Sequence, residues 1–248
     1  MLILQTEFSS VFSVSDMKIR NEEERSDTIM KKYEAVLFDL DGTLLDTLED
    51  LRDAVNYVMR QYRFAEHSLE EIRKAVGNGI RKLIERCVPE GTPTDNLDAA
   101  FADFKVYYEA NCKNKTKPYD GMLELVEKLK EDGYKLAVVS NKNHEAVHKI
   151  IPYYFGELFD ISVGAMDTMP KKPAPDTTFY ALEQVGVAKE KTIYIGDSQV
   201  DVETAKNVGL DGIFVTWGFR SREELAKAGA QKFADTTEQL YEIIIKKV

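Results

Sequence analysis

From Pro118 onward the chain alternates between two periodicities, and this limits the possible folds more than any other feature. The runs Lys135-Leu136-Ala137-Val138-Val139-Ser140, Phe159 to Gly164, Thr192-Ile193-Tyr194-Ile195-Gly196 and Gly212-Ile213-Phe214-Val215 are short, apolar and bounded by turn residues. Between them Gly121 to Asp132, Glu145 to Tyr154, Asp176 to Val185 and Asp201 to Val208 have helical spacing, with Gly133, Gly186 and Gly209 at helix ends. Lys232-Phe233-Ala234 adds a candidate edge strand before a last helix, Glu238 to Lys247. Strands alternating with helices predict βαβ units, a parallel sheet and helices on both of its faces. Upstream, Val36-Leu37-Phe38 reads as one more buried strand. From Leu48 to about residue 116 only helical patterns follow, broken at Gly77-Asn78-Gly79 and at Pro89-Glu90-Gly91-Thr92-Pro93. The expected architecture is therefore α/β: a core from residues 33–47 and 117–248, with an inserted all-helical domain at 48–116.

A chain of 248 residues can bury a core and an insertion of this kind. A net charge of −10 argues against nucleic acid or an anionic membrane as partner. No apolar run reaches the ~18 residues that a membrane-crossing helix needs. Cys87 and Cys112 are too few for a disulfide framework and read as free thiols, which fits a cytoplasmic protein. Residues 1–32 match the rest poorly. They read as a disordered extension or a start-site artefact, since Met17 and Met30 are alternative starts. Within them Phe8 to Val14 alternates like an edge strand and is a weak candidate for docking.

Each strand that carries chemistry carries it at its carboxyl end, where open α/β sheets bind ligands. The first ends in Asp39-Leu40-Asp41-Gly42-Thr43, whose two acids start out on one strand face. The second ends in Ser140-Asn141, a hydroxyl followed by a backbone amide suited to an anion. Lys171-Lys172-Pro173-Ala174-Pro175 holds an ammonium in a proline-fixed loop, and the strand at Thr192 ends in Asp197 and Asp201. Four carboxylates at one sheet edge repel by roughly 4 kcal/mol per close pair at an effective dielectric of about 20. Such a cluster calls for a cation, and all-oxygen ligands suit Mg²⁺ better than Zn²⁺. A hydroxyl, amides and a lysine beside it complete a site for a phosphoryl group.

Asp39-Leu40-Asp41-Gly42-Thr43-Leu44, Ser140-Asn141, Lys172-Pro173 and Gly196-Asp197-Ser198-Gln199-Val200-Asp201 match, in order, the four motifs of the haloacid dehalogenase superfamily, which the chain resembles from about residue 34 to 220. The resemblance implies a Rossmann-like core with the 48–116 helices as a mobile cap. It implies Asp39 as nucleophile and Asp41 as general acid/base. Mg²⁺ would rest on Asp39, the Asp41 carbonyl and Asp197, with Asp201 binding or orienting that shell. Ser140 would hold the phosphate, and Lys172 would offset charge on phosphate and nucleophile. Gly42, Thr43 and Asn141 are carried along as substrate-binding candidates. The stretches Val76 to Ile80 and Trp217 to Leu225 resemble phosphoglycolate phosphatases and relatives acting on pyrophosphate or nucleoside monophosphates. The expected reaction is hydrolysis of a small phosphorylated metabolite, 2-phosphoglycolate first, by a monomer or homodimer. A sugar phosphomutase is the alternative, against which Thr43 speaks. A non-catalytic scaffold would not need the complete acid set, and a receiver domain would not carry the helical insertion.

Other features have plainer readings. Gly77-Asn78-Gly79 is a turn between helices or a substrate-facing loop. Arg81 and Lys82 are candidates for a substrate carboxylate, with solvated surface as the alternative. His144 and His148 have metal-ligand spacing but no third ligand, and read as a helix face. Trp217 and Phe219 read as loop packing, Lys171 as solvent-facing, and Asp46 as a group serving the helix start or hinge.

Overall fold

The computed structural model describes residues 31–246. Six strands form one parallel sheet: β1 (Ala35–Phe38), β4 (Lys135–Asn143), β5 (Ile161–Ala165), β6 (Thr192–Gly196), β7 (Asp211–Val215) and β8 (Phe233–Ala234), in the order β5-β4-β1-β6-β7-β8. The chain builds outward from β1 to β4 and β5, then returns to the other side of β1 to lay down β6, β7 and β8. The crevice where that direction reverses lies at the carboxyl end of β1, so Asp39 follows the strand that flanks it.

Strand alternation divides β1 between two apolar layers. Val36 and Phe38 pack with α5 (Met122–Glu131), α6 (His144–Phe155) and α10 (Thr237–Ile245). Ala35 and Leu37 pack on the opposite face with α7 (Asp176–Val185), α8 (Gln199–Val208) and α9 (Arg222–Ala228). All four β1 side chains are fully buried, as an interior parallel strand requires. Leu40 also lies in the first layer, so the residue between the two aspartates anchors their loop to the core.

The inserted helices are α1 (Leu48–Gln61), α2 (Leu69–Ala75), α3 (Ile80–Cys87) and α4 (Thr94–Asn111). They have their own apolar interior, built from the expected Leu48, Leu51, Ala54, Val55 and Val58 stripe with Ile72, Leu83, Ile84, Ala100 and Phe104. Ser68 and Glu71 form a reciprocal capping box that fixes the start of α2. Phe219, from the loop after β7, belongs to this helical interior and so plugs the core domain into the cap.

Two features at the junction are not apparent in the sequence patterns. β2 (Leu45–Asp46) pairs antiparallel with β3 (Lys117–Pro118), so the outgoing and returning strands form one small ribbon. Asp50, buried in the first turn of α1, accepts hydrogen bonds from the amides of Lys115 (3.0 Å) and Thr116 (2.9 Å) and from the Thr116 hydroxyl (2.8 Å). A buried carboxylate satisfied this fully holds the two crossings together. Asp46 accepts from the Leu48 amide at 3.3 Å, in line with its expected place at the helix start.

Residues 1–30, including the Phe8–Val14 segment, lie outside the described residues. Lys32, at the end of the segment read as an extension, pairs with Asp211 at 2.9 Å. Among the described residues no helix is long and apolar enough to cross a membrane.

Candidate active site

Four segments meet at the carboxyl edge of the sheet and line a cavity of about 70 Å³. The core supplies Asp39, Asp41, Ser140, Asn141, Lys142, Lys172, Asp197, Asp201 and Arg220. The helical domain closes it with Leu51, Val76, Gly77, Gly79, Ile80 and Leu83, so the Gly77-Asn78-Gly79 turn does reach the site.

Three carboxylates lie deepest. One oxygen from each of Asp39, Asp197 and Asp201 falls within 4.8 Å of the others, and all three residues are buried. Lys172 is driven among them. Its Nζ donates to Asp39 Oδ1 at 2.7 Å, to Asp201 Oδ1 at 2.9 Å and to the Tyr194 hydroxyl at 2.8 Å. Burial works against the ammonium, but the charges of Asp201 and Asp39 hold it protonated, well above the usual lysine range. The acids remain in excess. Burial, then the charge of Asp201, pushes Asp39 up to about 7 despite Lys172. Burial and the charges of Asp201 and Asp39 likewise push Asp197 well above the carboxylate range. Carboxylates held this close want a further cation, and their all-oxygen donor set fits a hard divalent one.

Asp201 is the exception among the three. Its Oδ1 accepts from Lys172 and from Tyr194 (2.9 Å). Its Oδ2 accepts from the Ser198 hydroxyl (2.6 Å) and from the amides of Ser198 (3.1 Å) and Asp197 (3.3 Å). Five donors on one carboxylate hold it below the ordinary range even though it is buried, which is the largest effect on it. Asp201 thus orients the Asp197 backbone and Lys172.

Asp197 is held from the other side. Its Oδ2 accepts from the Phe219 amide at 2.6 Å and its Oδ1 from the Thr43 hydroxyl at 3.4 Å. Thr43 is fully buried, and neither it nor Gly42 lines the cavity. Of the two expected substrate-binding candidates, Thr43 thus supports Asp197, and Gly42 makes room for it. A Cβ on Gly42, at φ +93°, would collide with Asp197 Oδ2. Gly218 has the same duty, since a Cβ there would run into Asp197 Cβ and the Gly42 carbonyl. Backbone on one side and a fixed carboxylate on the other cannot yield. Gly218→Ala is therefore expected to weaken divalent-metal affinity by about 10–100-fold, as loss of a supporting contact does. Titration of metal into chelator-treated protein measures it, and wild-type affinity would refute the packing account.

Asp41 stands apart from the three-acid cluster. Its Oδ1 accepts from Lys142 Nζ at 3.1 Å, and its side chain keeps 23% exposure toward the cavity. Ser140 lines the cavity, with its Oγ accepting from the Lys142 amide at 3.1 Å. Asn141 donates from Nδ2 to the Lys172 carbonyl at 2.9 Å and so locks the lysine loop against β4.

Arg81, expected as a candidate for a substrate carboxylate, takes the solvated-surface alternative in this structure. It points away to Asp98 (2.5 Å) and Glu85 (3.3 Å) and does not line the cavity. The cationic side chains that line the cavity beside Lys172 are two that the sequence patterns do not single out, Lys142 and Arg220. Arg220 is buried and binds the cap by its main chain, donating to the carbonyls of Arg73 (2.6 Å) and Val76 (2.7 Å) at the end of α2 and to Gln199 Oε1 (3.0 Å). A guanidinium at a helix carboxyl end satisfies carbonyls that the helix cannot. Trp217 donates to the Thr43 carbonyl at 3.1 Å, the loop packing expected of it. Lys171 is exposed. His144 Nδ1 accepts from the Gly164 amide at 3.2 Å, and among the described residues the histidines join no metal-binding group.

The comparisons with known proteins agree with this geometry. Residues 36–215 match the pattern of the haloacid dehalogenase-like hydrolase family. A phosphoglycolate phosphatase of Colwellia psychrerythraea is 32% identical over 218 residues, covering 85% of this chain and 96% of its own. One from Aquifex aeolicus is 33% identical over 185 residues, covering 74% and 85%. A crystal structure from Lactobacillus delbrueckii subsp. bulgaricus superposes with a TM-score of 0.84 at 37% identity, covering 88% of this chain and all of that one. CbbY from Rhodobacter sphaeroides, solved in complex with phosphate, gives a TM-score of 0.67 at 27% identity over 84% of this chain and 96% of its own. By sequence and by fold, the chain belongs to the haloacid dehalogenase-like hydrolases.

Proposed function

We propose that the protein is a divalent-metal-dependent phosphatase that cleaves a small phosphate monoester, 2-phosphoglycolate first, through an aspartyl-phosphate. The separation of two kinds of acid carries this reading. Asp39 belongs to a buried cluster with Lys172, whereas Asp41 faces the cavity beside Lys142. An Asp39 oxygen attacks phosphorus, and the bond to the leaving oxygen breaks as Asp41 gives that oxygen its proton. Asp41 then takes a proton from water, whose oxygen attacks the acyl-phosphate, releasing phosphate and restoring Asp39. Lys172 favours the ionised form of Asp39 for attack and sets its direction through the bond at 2.7 Å. Ser140 and the backbone around Asn141 receive the phosphoryl oxygens.

Asp39, Asp197 and the Asp41 carbonyl would hold Mg²⁺, with Asp201 fixing their frame from behind. When bound, the ion offsets charge on the phosphoryl oxygens and on the attacking carboxylate. The cap completes the cavity with apolar walls, which exclude bulk water and keep the substrate small.

The phosphoglycolate phosphatases among the relatives make 2-phosphoglycolate the first ester to test. Phosphate release from 2-phosphoglycolate, pyrophosphate, nucleoside monophosphates and hexose phosphates, with Mg²⁺ and after EDTA, tests the reading. The expected result is the highest kcat/KM on 2-phosphoglycolate and a loss of at least ~10³-fold on chelation, restored by Mg²⁺. Unchanged turnover in EDTA, or faster isomerisation of a hexose phosphate than phosphate release, would overturn it.

A further inference from the structure

Three cationic side chains line the cavity: Lys142, Lys172 and Arg220. Two of them are used up by the protein. The three N–H groups of Lys172 go to Asp39, Asp201 and Tyr194. The guanidinium of Arg220 is spread over Gln199 Oε1 and the carbonyls of Arg73, Lys74, Val76 and Phe219. Lys142 is different. Its Nζ has two acceptors, Asp41 Oδ1 at 3.1 Å and the Tyr108 hydroxyl at 2.9 Å, and no third among the described residues. An ammonium carries three donors, and one left unpaired at a side-chain exposure of 3% is costly.

The position of that spare donor defines what it can meet. Lys142 lies two residues beyond Ser140 on β4, its own amide donates to Ser140 Oγ, and both residues line the cavity. Its ammonium sits against Asp41, the group that faces the leaving oxygen. The part of the substrate nearest Lys142 is therefore the leaving alcohol and not the phosphoryl group. Tyr108 comes from α4 of the cap and places its ring beneath the same ammonium, 4.8 Å from the ring centre. The cap thus holds the lysine in place while contributing no cation of its own to the cavity lining.

We propose that Lys142 is a specificity-determining residue that pairs with a carboxylate on the leaving alcohol, so that the enzyme prefers phosphate esters of short hydroxy acids. This rests on the phosphatase reading above and goes beyond it in assigning the second anionic group of the substrate to one side chain. An acidic leaving group brings a negative charge beside Asp41. Without a cation between them that arrangement is repulsive, and Lys142 is the cation that stands there with a donor to spare.

The test is a ratio. The preference for 2-phosphoglycolate over 2-hydroxyethyl phosphate, which replaces the carboxylate by an uncharged CH₂OH, is measured as kcat/KM in the wild type and in Lys142→Met. The variant is expected to lower the preference by at least ~30-fold, the cost of truncating a buried charge partner. A purely structural role would slow both esters alike and leave the ratio unchanged, which would overturn the proposal. Should Lys142→Met turn over too slowly, calorimetric binding of the two esters to Asp39→Asn, with and without Lys142→Met, gives the ratio instead: a fall supports the assignment and constancy overturns it. If the wild type releases phosphate from neither ester while other substrates turn over, the substrate reading falls and this inference with it. Turnover of both with an unchanged ratio sinks the Lys142 assignment alone.

Discussion

Replacing Asp39 by asparagine is expected to abolish phosphate release and, in metal-free protein, to raise the melting temperature. The first effect follows from chemistry: an amide oxygen is too weak a nucleophile to form the acyl-phosphate, so kcat should fall by at least ~10⁴-fold. The second follows from the charge imbalance at the sheet edge. Burial and Asp201 hold Asp39 at about 7, well above a free aspartate. A carboxyl whose folded pKa is raised binds its proton more tightly in the folded state. Its contribution is therefore lost as pH rises from about 4 to about 7, and above that ionising Asp39 costs stability. Asparagine keeps an acceptor for Lys172 and removes that cost. At pH 8 in EDTA the gain should be on the order of 2–4 kcal/mol, shrinking toward zero at about pH 4. Adding Mg²⁺ should reverse the order, because the wild type gains a bound cation that the variant holds poorly. Thermal melts at low and high pH, with and without metal, read all four corners. A variant less stable than wild type in EDTA at high pH would contradict the picture of excess buried charge.

The parallel sheet and the main acid positions are legible in the sequence because strand and helix periods differ so sharply after Pro118. Asp39, Asp197 and Lys172 meet as the strand-end rule predicts, since all follow or flank strands of one parallel sheet. What is not legible depends on contacts between distant segments. Thr43 and Gly42 stand beside Asp41 in sequence, yet they face Asp197 and not the cavity, because the loop doubles back and forms the Asp41–Leu45 bridge. Arg81 has a suitable charge on a suitable helix, but Asp98 on α4 and Glu85 one turn away claim it. Lys142 escapes notice because nothing local distinguishes it from a solvated lysine after Ser140-Asn141. No local spacing rule would bring Tyr108 to it, and the ladder of β4 is irregular between Val139 and Asn143, so strand alternation does not place it either. Arg220 and Phe219 lie in a loop without periodicity, so their grip on the cap is visible only in three dimensions. The Asp50 bond to the returning chain joins residues far apart in sequence and has no local signature either.

Lys172→Met should be the most destabilising single change at this site, and it should cost turnover as well. The ammonium is 2% exposed and is the cation in direct contact with Asp39 and Asp201. Methionine fills a similar volume, so packing is largely kept and the loss is one of charge and hydrogen bonds. Removing one partner of a buried ion pair typically costs about 3–5 kcal/mol, because the other is left uncompensated. Here two carboxylates are left, and the Tyr194 hydroxyl loses the lysine as its partner. A loss of that size is a large fraction of the roughly 5–15 kcal/mol that holds an ordinary domain together. Without Lys172 the pKa of Asp39 rises further, so the nucleophile is protonated at neutral pH and kcat should fall by at least ~10³-fold. The sign with pH is fixed by the same charges. Wild-type Lys172 stays charged throughout the neutral range, because its pKa is raised well above that of a free lysine. The deficit of the variant is thus set by the acids: near pH 4 it comes from Asp201, which is held below the ordinary range and stays ionised there, and it grows as Asp39 ionises and pH climbs through about 7. Urea melts at several pH values would show it. A double-mutant cycle with Asp39→Asn then isolates the pair, since removing the second charge should restore part of the stability that removing the first destroys. Additive losses across that cycle would mean that the 2.7 Å contact between Lys172 and Asp39 contributes nothing to holding the site together.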